Sequence, residues 1–308
     1  MPRWSRSTFA RSVAVLAAAL LHAERAFAQA CCAGSGAVTP ARLGVHEDAL
    51  VGLQARYAGH LGSHDAEGEY VRTPSHAREI NLEQNLFGAV RVVRRVQLSV
   101  LVPFVQTHRR AYGRSSTGGG IGDLNVAARW DPLLAGEAQR VPGVGLLAGV
   151  TFPTGRTAED AERPMATDAT GIGAVQANGG IAFEQTFGPW FVGVSGLFAW
   201  RTPRTVRGAR MKLAPQYTLL ASVGYAFPSG ATAALVGLYT VEGLARVDDA
   251  AVPASDRRVV SGSIAGSVPL TDWLRVVASL FANPPFASLG LNQPVTAGGT
   301  VGVIWGFS

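Results

Sequence analysis

Val301-Gly302-Val303-Ile304-Trp305-Gly306-Phe307-Ser308, the last eight residues, is the stretch on which the fold turns. In an extended chain successive side chains point to opposite faces. Val301, Val303, Trp305 and Phe307 therefore share one apolar face, while Gly302, Gly306 and Ser308 share the other, with Ile304 the one misfit. An apolar stripe finishing on an aromatic residue is the pattern of the last strand of an outer-membrane β-barrel. Such a strand closes against the first one, and its outward residues face lipid. The same stripe would suit the buried edge of a soluble sandwich, so the octet needs support from the rest of the chain.

The N-terminus supplies some. Arg3, Arg6 and Arg11 form a basic start, and Ser12 to Leu21 reads SVAVLAAALL. That apolar run of about ten residues is too short to span a bilayer. Ala26-Phe27-Ala28 is a small-x-small cleavage site before Gln29. Residues 1–28 read as a signal peptide, residues 29–48 as a periplasmic N-terminal extension carrying Cys31 and Cys32, and residues 49–308 as the barrel. An uncleaved anchor is the alternative reading of the start. Lipidation of Cys31 is another, although Ala28-Gln29-Ala30 lacks the aliphatic residue expected three places before a lipidated cysteine.

Composition agrees. The 308 residues are 47% hydrophobic and only 16% charged, with 37 glycines. Beyond residue 28 no apolar run approaches the roughly 20 residues of a membrane helix. A membrane position therefore requires a closed barrel, because lipid offers unpaired backbone groups no partner. Of the formal charge of +6, half comes from the four arginines and one glutamate of residues 1–28. The remainder does not imply nucleic acid, and with no basic tract carrying interleaved aromatics none is expected as a partner.

Read at period two, the chain beyond residue 48 yields about twelve apolar-alternating segments. The clearest sets Leu124, Val126, Ala128 and Trp130 against Asp123, Asn125, Ala127 and Arg129. Short connections, Phe187-Gly188-Pro189, Pro228-Ser229-Gly230 and Pro269-Leu270-Thr271-Asp272, alternate with long polar ones at 59–76, 107–120, 153–172, 201–209, 243–257 and 283–293. The stretch 131–142 breaks that rule. Alternating loop length belongs to an antiparallel transmembrane β-barrel with short periplasmic turns and long outer loops, and a sandwich has no reason to keep it. Aromatics cluster near strand ends, among them Trp130, Trp190, Trp200, Tyr225, Phe227 and Trp305, where a membrane interface wants them.

Chemistry-bearing residues are sparse. Cys31 and Cys32 form a vicinal pair, and His60-x-x-x-His64-Asp65 falls in the first long loop; these are the candidate metal ligands. No G-x-S-x-G occurs, and the Gly118-Gly119-Gly120 run lacks the Lys-Thr helix of a phosphate loop. The reading is therefore of a non-enzyme without a cofactor.

Two stretches go beyond periodicity. Gly120-Ile121-Gly122-Asp123-Leu124-Asn125-Val126-Ala127-Ala128-Arg129-Trp130 resembles the G-x-G-D-L strand of the phenol-degradation meta-pathway family of outer-membrane transporters. Gly149-Val150-Thr151-Phe152-Pro153-Thr154-Gly155-Arg156 is similar to that family's strand ending in Pro-Thr-Gly. The resemblance covers residues 120–156 and implies an outer-membrane barrel that moves small solutes, aromatic or hydrophobic ones among them.

The alternation predicts that Arg56, Glu83, Asp123, Arg129, Gln176, Glu184, Gln216 and Arg275 point inward and line a lumen of mixed charge. The expected partners are outer-membrane lipid and a small-molecule solute; the oligomeric state is not legible. A second reading is a barrel that does not transport, serving as a surface binding or structural protein or as a lipid-acting enzyme.

Overall fold

The computed structural model describes residues 41–137 and 141–308. Residues 1–28, expected to be a signal peptide, and the pair Cys31-Cys32 lie outside the described residues. The remainder is an all-β barrel of twelve antiparallel strands. These are β1 (Ala49–His64), β2 (Arg78–Val93), β3 (Val96–Ala111), β4 (in two pieces, Arg114–Ile121 and Leu124–Leu133), β5 (Gly143–Phe152) and β6 (Gln176–Phe187). They continue as β7 (Trp190–Arg201), β8 (Gln216–Ala226), β9 (Thr232–Glu242), β10 (Arg257–Pro269), β11 (Leu274–Ala282) and β12 (Gln293–Phe307). Each strand pairs with the next, and β12 returns to pair with β1. The closing register runs from Ala49 opposite Phe307 to His64 opposite Gln293, with one irregularity between His60 and Gly62.

The two faces follow the alternation. Val51, Leu53, Leu86, Val90, Val126, Val192, Val194 and Val301 stand exposed on the outer wall. Exposure of this much large apolar surface is tolerable only against lipid. Their neighbours Leu50, Asn85, Arg129, Glu184 and Ser195 are buried inside. At the short-turn rim, Trp190, Tyr225 and Phe227 stack edge to face at 5.1 and 5.0 Å, the beginning of an interfacial girdle. The chain is an outer-membrane barrel, with the short turns on the periplasmic side.

Several connections depart from the sequence reading. The stretch 107–120 is no loop. β3 runs on to Ala111, turns through Tyr112 (φ 49°) and Gly113 (φ 76°), and returns as the first piece of β4. Two successive residues with positive φ make the tight turn that matches strand twist. Alternation vanishes there because this hairpin rises above the hydrocarbon, where both faces meet polar surroundings. For the same reason β1 continues to His64, so the first connection begins at Asp65 and not at residue 59. The connection after β7 carries two short strands, Arg204–Val206 and Ala209–Lys212. They join Arg246–Val247 and Ala250–Ala251 of the next long connection in a separate four-stranded patch.

The register yields a test. Val126→Arg, on the lipid face, should destabilise the barrel by about 2–4 kcal/mol, whereas Asn125→Arg, one residue along and facing inward, should cost far less. Reversible urea unfolding in liposomes reads both; equal costs would refute the register of β4.

Candidate functional site

The barrel interior is entered from the periplasmic end by the chain itself. Residues 41–47, expected to belong to an extension outside the barrel, lie within it. Ala41 and Leu43 pack against Leu50, Phe87 and Ala89, with Leu101 and Ile304 beside them. All five wall residues are apolar at inward positions, where a water-filled lumen would carry polar groups. Ile304, the misfit of the C-terminal octet, is thereby explained: it forms part of the floor on which this segment rests. The Gln97 side chain holds the segment's backbone twice, donating to Ala41 O at 2.9 Å and accepting from Leu43 N at 3.1 Å. Arg91 donates to the carbonyls of Gly44 and Glu47.

Charge fastens the same segment. Arg42 pairs with Glu184, which also meets Arg129 at 3.2 Å; Arg129 in turn meets Asp131 at 2.7 Å. Arg129 is only 2% exposed. Its guanidinium has room because Gly145 faces it: a Cβ there would stand 2.7 Å from Nη2. On the other side Glu47 pairs with Arg275 and accepts from the backbone N–H of Gly44. The segment thus spans the lumen from β3 to β6 to β11.

The extracellular mouth is narrowed by the connection between β5 and β6. Thr167, fully buried, exchanges a hydrogen bond with Ser116 at 2.9 Å, and Arg109 donates to Met165 O at 2.6 Å. Ser116 and Gly118 share the inward face of β4's first piece. A Cβ on Gly118 would lie 2.8 Å from the Thr167–Asp168 backbone, so the glycine run lets the loop lie against the wall. The two family-like stretches meet here. Thr154 accepts from Leu124 N and donates to Gly122 O, while Asp123 accepts from Gly155 N at 2.9 Å and Ile172 N at 2.8 Å. Asp123, expected to line the lumen, is therefore a clasp on the loop.

Arg56, Glu83, Gln176, Gln216, Arg275, Arg129 and Glu184 all stand on the inner face, and each of them is engaged. Arg56 meets Glu83 at 3.4 Å and lies 4.5 Å above the Phe281 ring. Gln176 and Gln216 both accept from Arg201, whose charge is balanced by Glu242 at 2.6 Å. Arg109 faces Glu79 at 3.0 Å. Inside the barrel six arginines, at 42, 56, 109, 129, 201 and 275, thus each meet a carboxylate.

Sequence reasoning missed Arg201, Glu242, Glu79, Arg109, Gln97 and the segment itself. A signal for the segment existed in the apolar residues at inward positions near the periplasmic turns. His60 and His64 sit on strand β1, not in a loop. Four strand residues separate their Cα atoms by roughly 13 Å, and His64 Nε2 is bonded to Phe286 O at 3.0 Å. Among the described residues no cluster of three metal-ligating side chains occurs.

The loop has an acid-sensitive anchor. Burial pushes the Asp168 carboxyl up, but backbone N–H groups of Glu162 and Arg163 and the Arg156 guanidinium outweigh it and hold it below the ordinary carboxylate value. A lowered folded-state value stabilises the loop above the ordinary carboxylate range, and the contribution disappears as pH falls through the lowered value. Trypsin should therefore spare Arg156 from neutral to mildly acid pH. Asp168→Asn should expose that bond at neutral pH, read by limited proteolysis of the folded barrel; an unchanged digest would refute the anchor. Arg129→Met, which strands Asp131 without a cation, should cost about 3 kcal/mol or more by the same urea assay.

Comparisons with known proteins agree with this architecture. The COG4313 outer membrane channel from Pseudomonas putida F1 superposes with a TM-score of 0.69 at 17% identity, covering 87% of this chain and 100% of that one. That likeness establishes the fold. The NanC porin gives a TM-score of 0.48 at 9% identity, over 83% of this chain and 98% of its own. The translocator domain of the autotransporter NalP from Neisseria meningitidis gives 0.45 at 11%, over 97% and 95%. A comparison with curated protein sequences finds no match. The sequence profile described as "Putative MetA-pathway of phenol degradation" matches residues 65–283, and the chain belongs to that family.

Proposed function

We propose that this protein is an outer-membrane channel for small solutes, aromatic or hydrophobic ones among them, that works as a transporter and not as an enzyme. The observation that carries the reading is the balance inside the closed barrel. Arg42, Arg56, Arg109, Arg129, Arg201 and Arg275 are matched by carboxylates, so the passage has polar walls but little net field. Ions gain little by entering such a passage, because each charge it holds is already neutralised nearby. Arg56, Glu83, Gln176 and Gln216 are the lining residues on this reading, and the segment 41–47 is its periplasmic gate. The family's name and the channel-like fold support the reading; the choice of solute is a proposal.

A second reading draws on one observation. The lumen is crowded from both ends, by residues 41–47 and by the loop carrying Thr167, as a barrel that only binds or only serves structure would be.

Planar-bilayer recording separates the two. The full-length protein should show small conductance steps with weak preference between cation and anion. Gln97→Leu removes two neutral hydrogen bonds to the segment, each worth about 1 kcal/mol. The closed-to-open ratio should then fall about tenfold or more, read as a larger open fraction. Folded wild type and variant that both conduct nothing would overturn the channel reading and leave the second.

A further inference from the structure

Between the two constrictions the wall of β4 to β9 encloses a cavity of about 300 Å³ on the inner face. At ~30 Å³ per non-hydrogen atom it has room for about ten such atoms. Its chemistry differs from both ends of the lumen, because the residues lining it include no charged side chain. One side presents Leu147, Leu197 and Leu238; the other presents amides and hydroxyls.

Those amides are held in one orientation by a relay. Arg201 Nε donates to Gln176 Oε1 at 2.7 Å, which directs Gln176 Nε2 to Asn178 Oδ1 at 2.8 Å. The Asn178 amide then donates to Thr151 Oγ1 at 3.4 Å, and Asn125 Nδ2 donates to the same oxygen at 2.9 Å. Among the atoms left with spare hydrogen-bonding capacity, three bear on a ligand. Asn125 Oδ1 is an acceptor, the Thr151 hydroxyl proton is a donor, and Gln216 Nε2 is a donor, since Gln216 Oε1 is taken by Arg201. Arg201, which fixes the relay, is itself neutralised by Glu242 at 2.6 Å.

We infer that this cavity is a solute-binding site of the channel for an uncharged molecule with one hydroxyl-bearing edge and one apolar face. The inference rests on the channel reading and names the site within it. The hydroxyl edge meets Asn125, Thr151 and Gln216, and the apolar face rests on the three leucines. Hydrogen-bonding groups already aimed by the relay lose little freedom on binding. A carboxylate of equal size finds no unpaired cation here, so its desolvation is not offset.

The test is saturation-transfer NMR on the full-length protein refolded in detergent, with empty micelles as the blank. The probe is trans-1,2-cyclohexanediol, and cyclohexanecarboxylate is its charged counterpart. The diol should give a saturable signal and the carboxylate none at the same concentrations. Asn125→Leu and Gln216→Leu should each weaken the diol about three- to tenfold. Thr151→Val, which keeps the volume, serves if either fails to fold, folding being read by heat-modifiable gel migration. Equal signals from diol and carboxylate, a signal that never saturates, or unchanged affinity in folded variants would overturn the site. Conductance without saturable diol binding overturns the site alone. Saturable binding in a barrel that never conducts overturns the channel reading and leaves the site standing.

Discussion

The pairing of Ala49–His64 with Gln293–Phe307 is the contact on which everything else depends. A barrel in lipid has no second solvent to satisfy an open edge, and each unpaired N–H or C=O at that depth costs several kcal/mol. Closure satisfies both terminal strands at once, and it joins the two barrel strands farthest apart in sequence. It also divides the side chains into two populations. Val51, opposite Trp305, and Val301, opposite Ala55, face lipid, while Gly52 opposite Ile304 faces inward. The inner and outer walls then answer to different physics.

The outer wall needs only apolar surface and a girdle. The inner wall has to be polar enough to be wet and yet hold buried charge without leaving it unpaired. The structure meets the second requirement by matching. Glu184 is shared between Arg42 and Arg129, and Arg129 is shared between Glu184 and Asp131. Removing one member of such a cluster strands another, which is why these pairs act as supports even where buried ion pairs contribute little net stability. The segment 41–47 exploits the arrangement: Arg42 completes the cluster at β6 and Glu47 completes Arg275 at β11.

The family's two sequence stretches turn out to be one device. The Thr154 side chain bonds to the backbones of Gly122 and Leu124, the Asp123 side chain accepts from Gly155 N, and Asp123 reaches on to Ile172 N. They fasten the loop that narrows the mouth. The break in β4 at residues 122–123 frees the backbone for this clasp, and the glycines before it let the loop approach the wall. The motifs therefore position a constriction; nothing in their geometry calls for a ligand.

The sequence by itself determined the twelve-strand count, the lipid-facing stripe from Val51 to Phe307, the inward placement of Arg56, Glu83, Arg129, Gln176, Glu184, Gln216 and Arg275, and the short turns at one rim. These are all consequences of a period of two set against a single apolar solvent, and that information is local. It faded where the solvent changed. Above the hydrocarbon the hairpin through Tyr112-Gly113 looked like a loop, because both its faces meet polar surroundings. Only the tertiary structure decided what the inward charges do. Arg129 and Glu184 lie far apart in sequence, Glu47 and Arg275 farther still, and Asp123 is engaged by a loop whose course no periodicity records. Which residues meet across a lumen depends on strand register and closure, and these place inner-face partners without leaving any pattern along the chain.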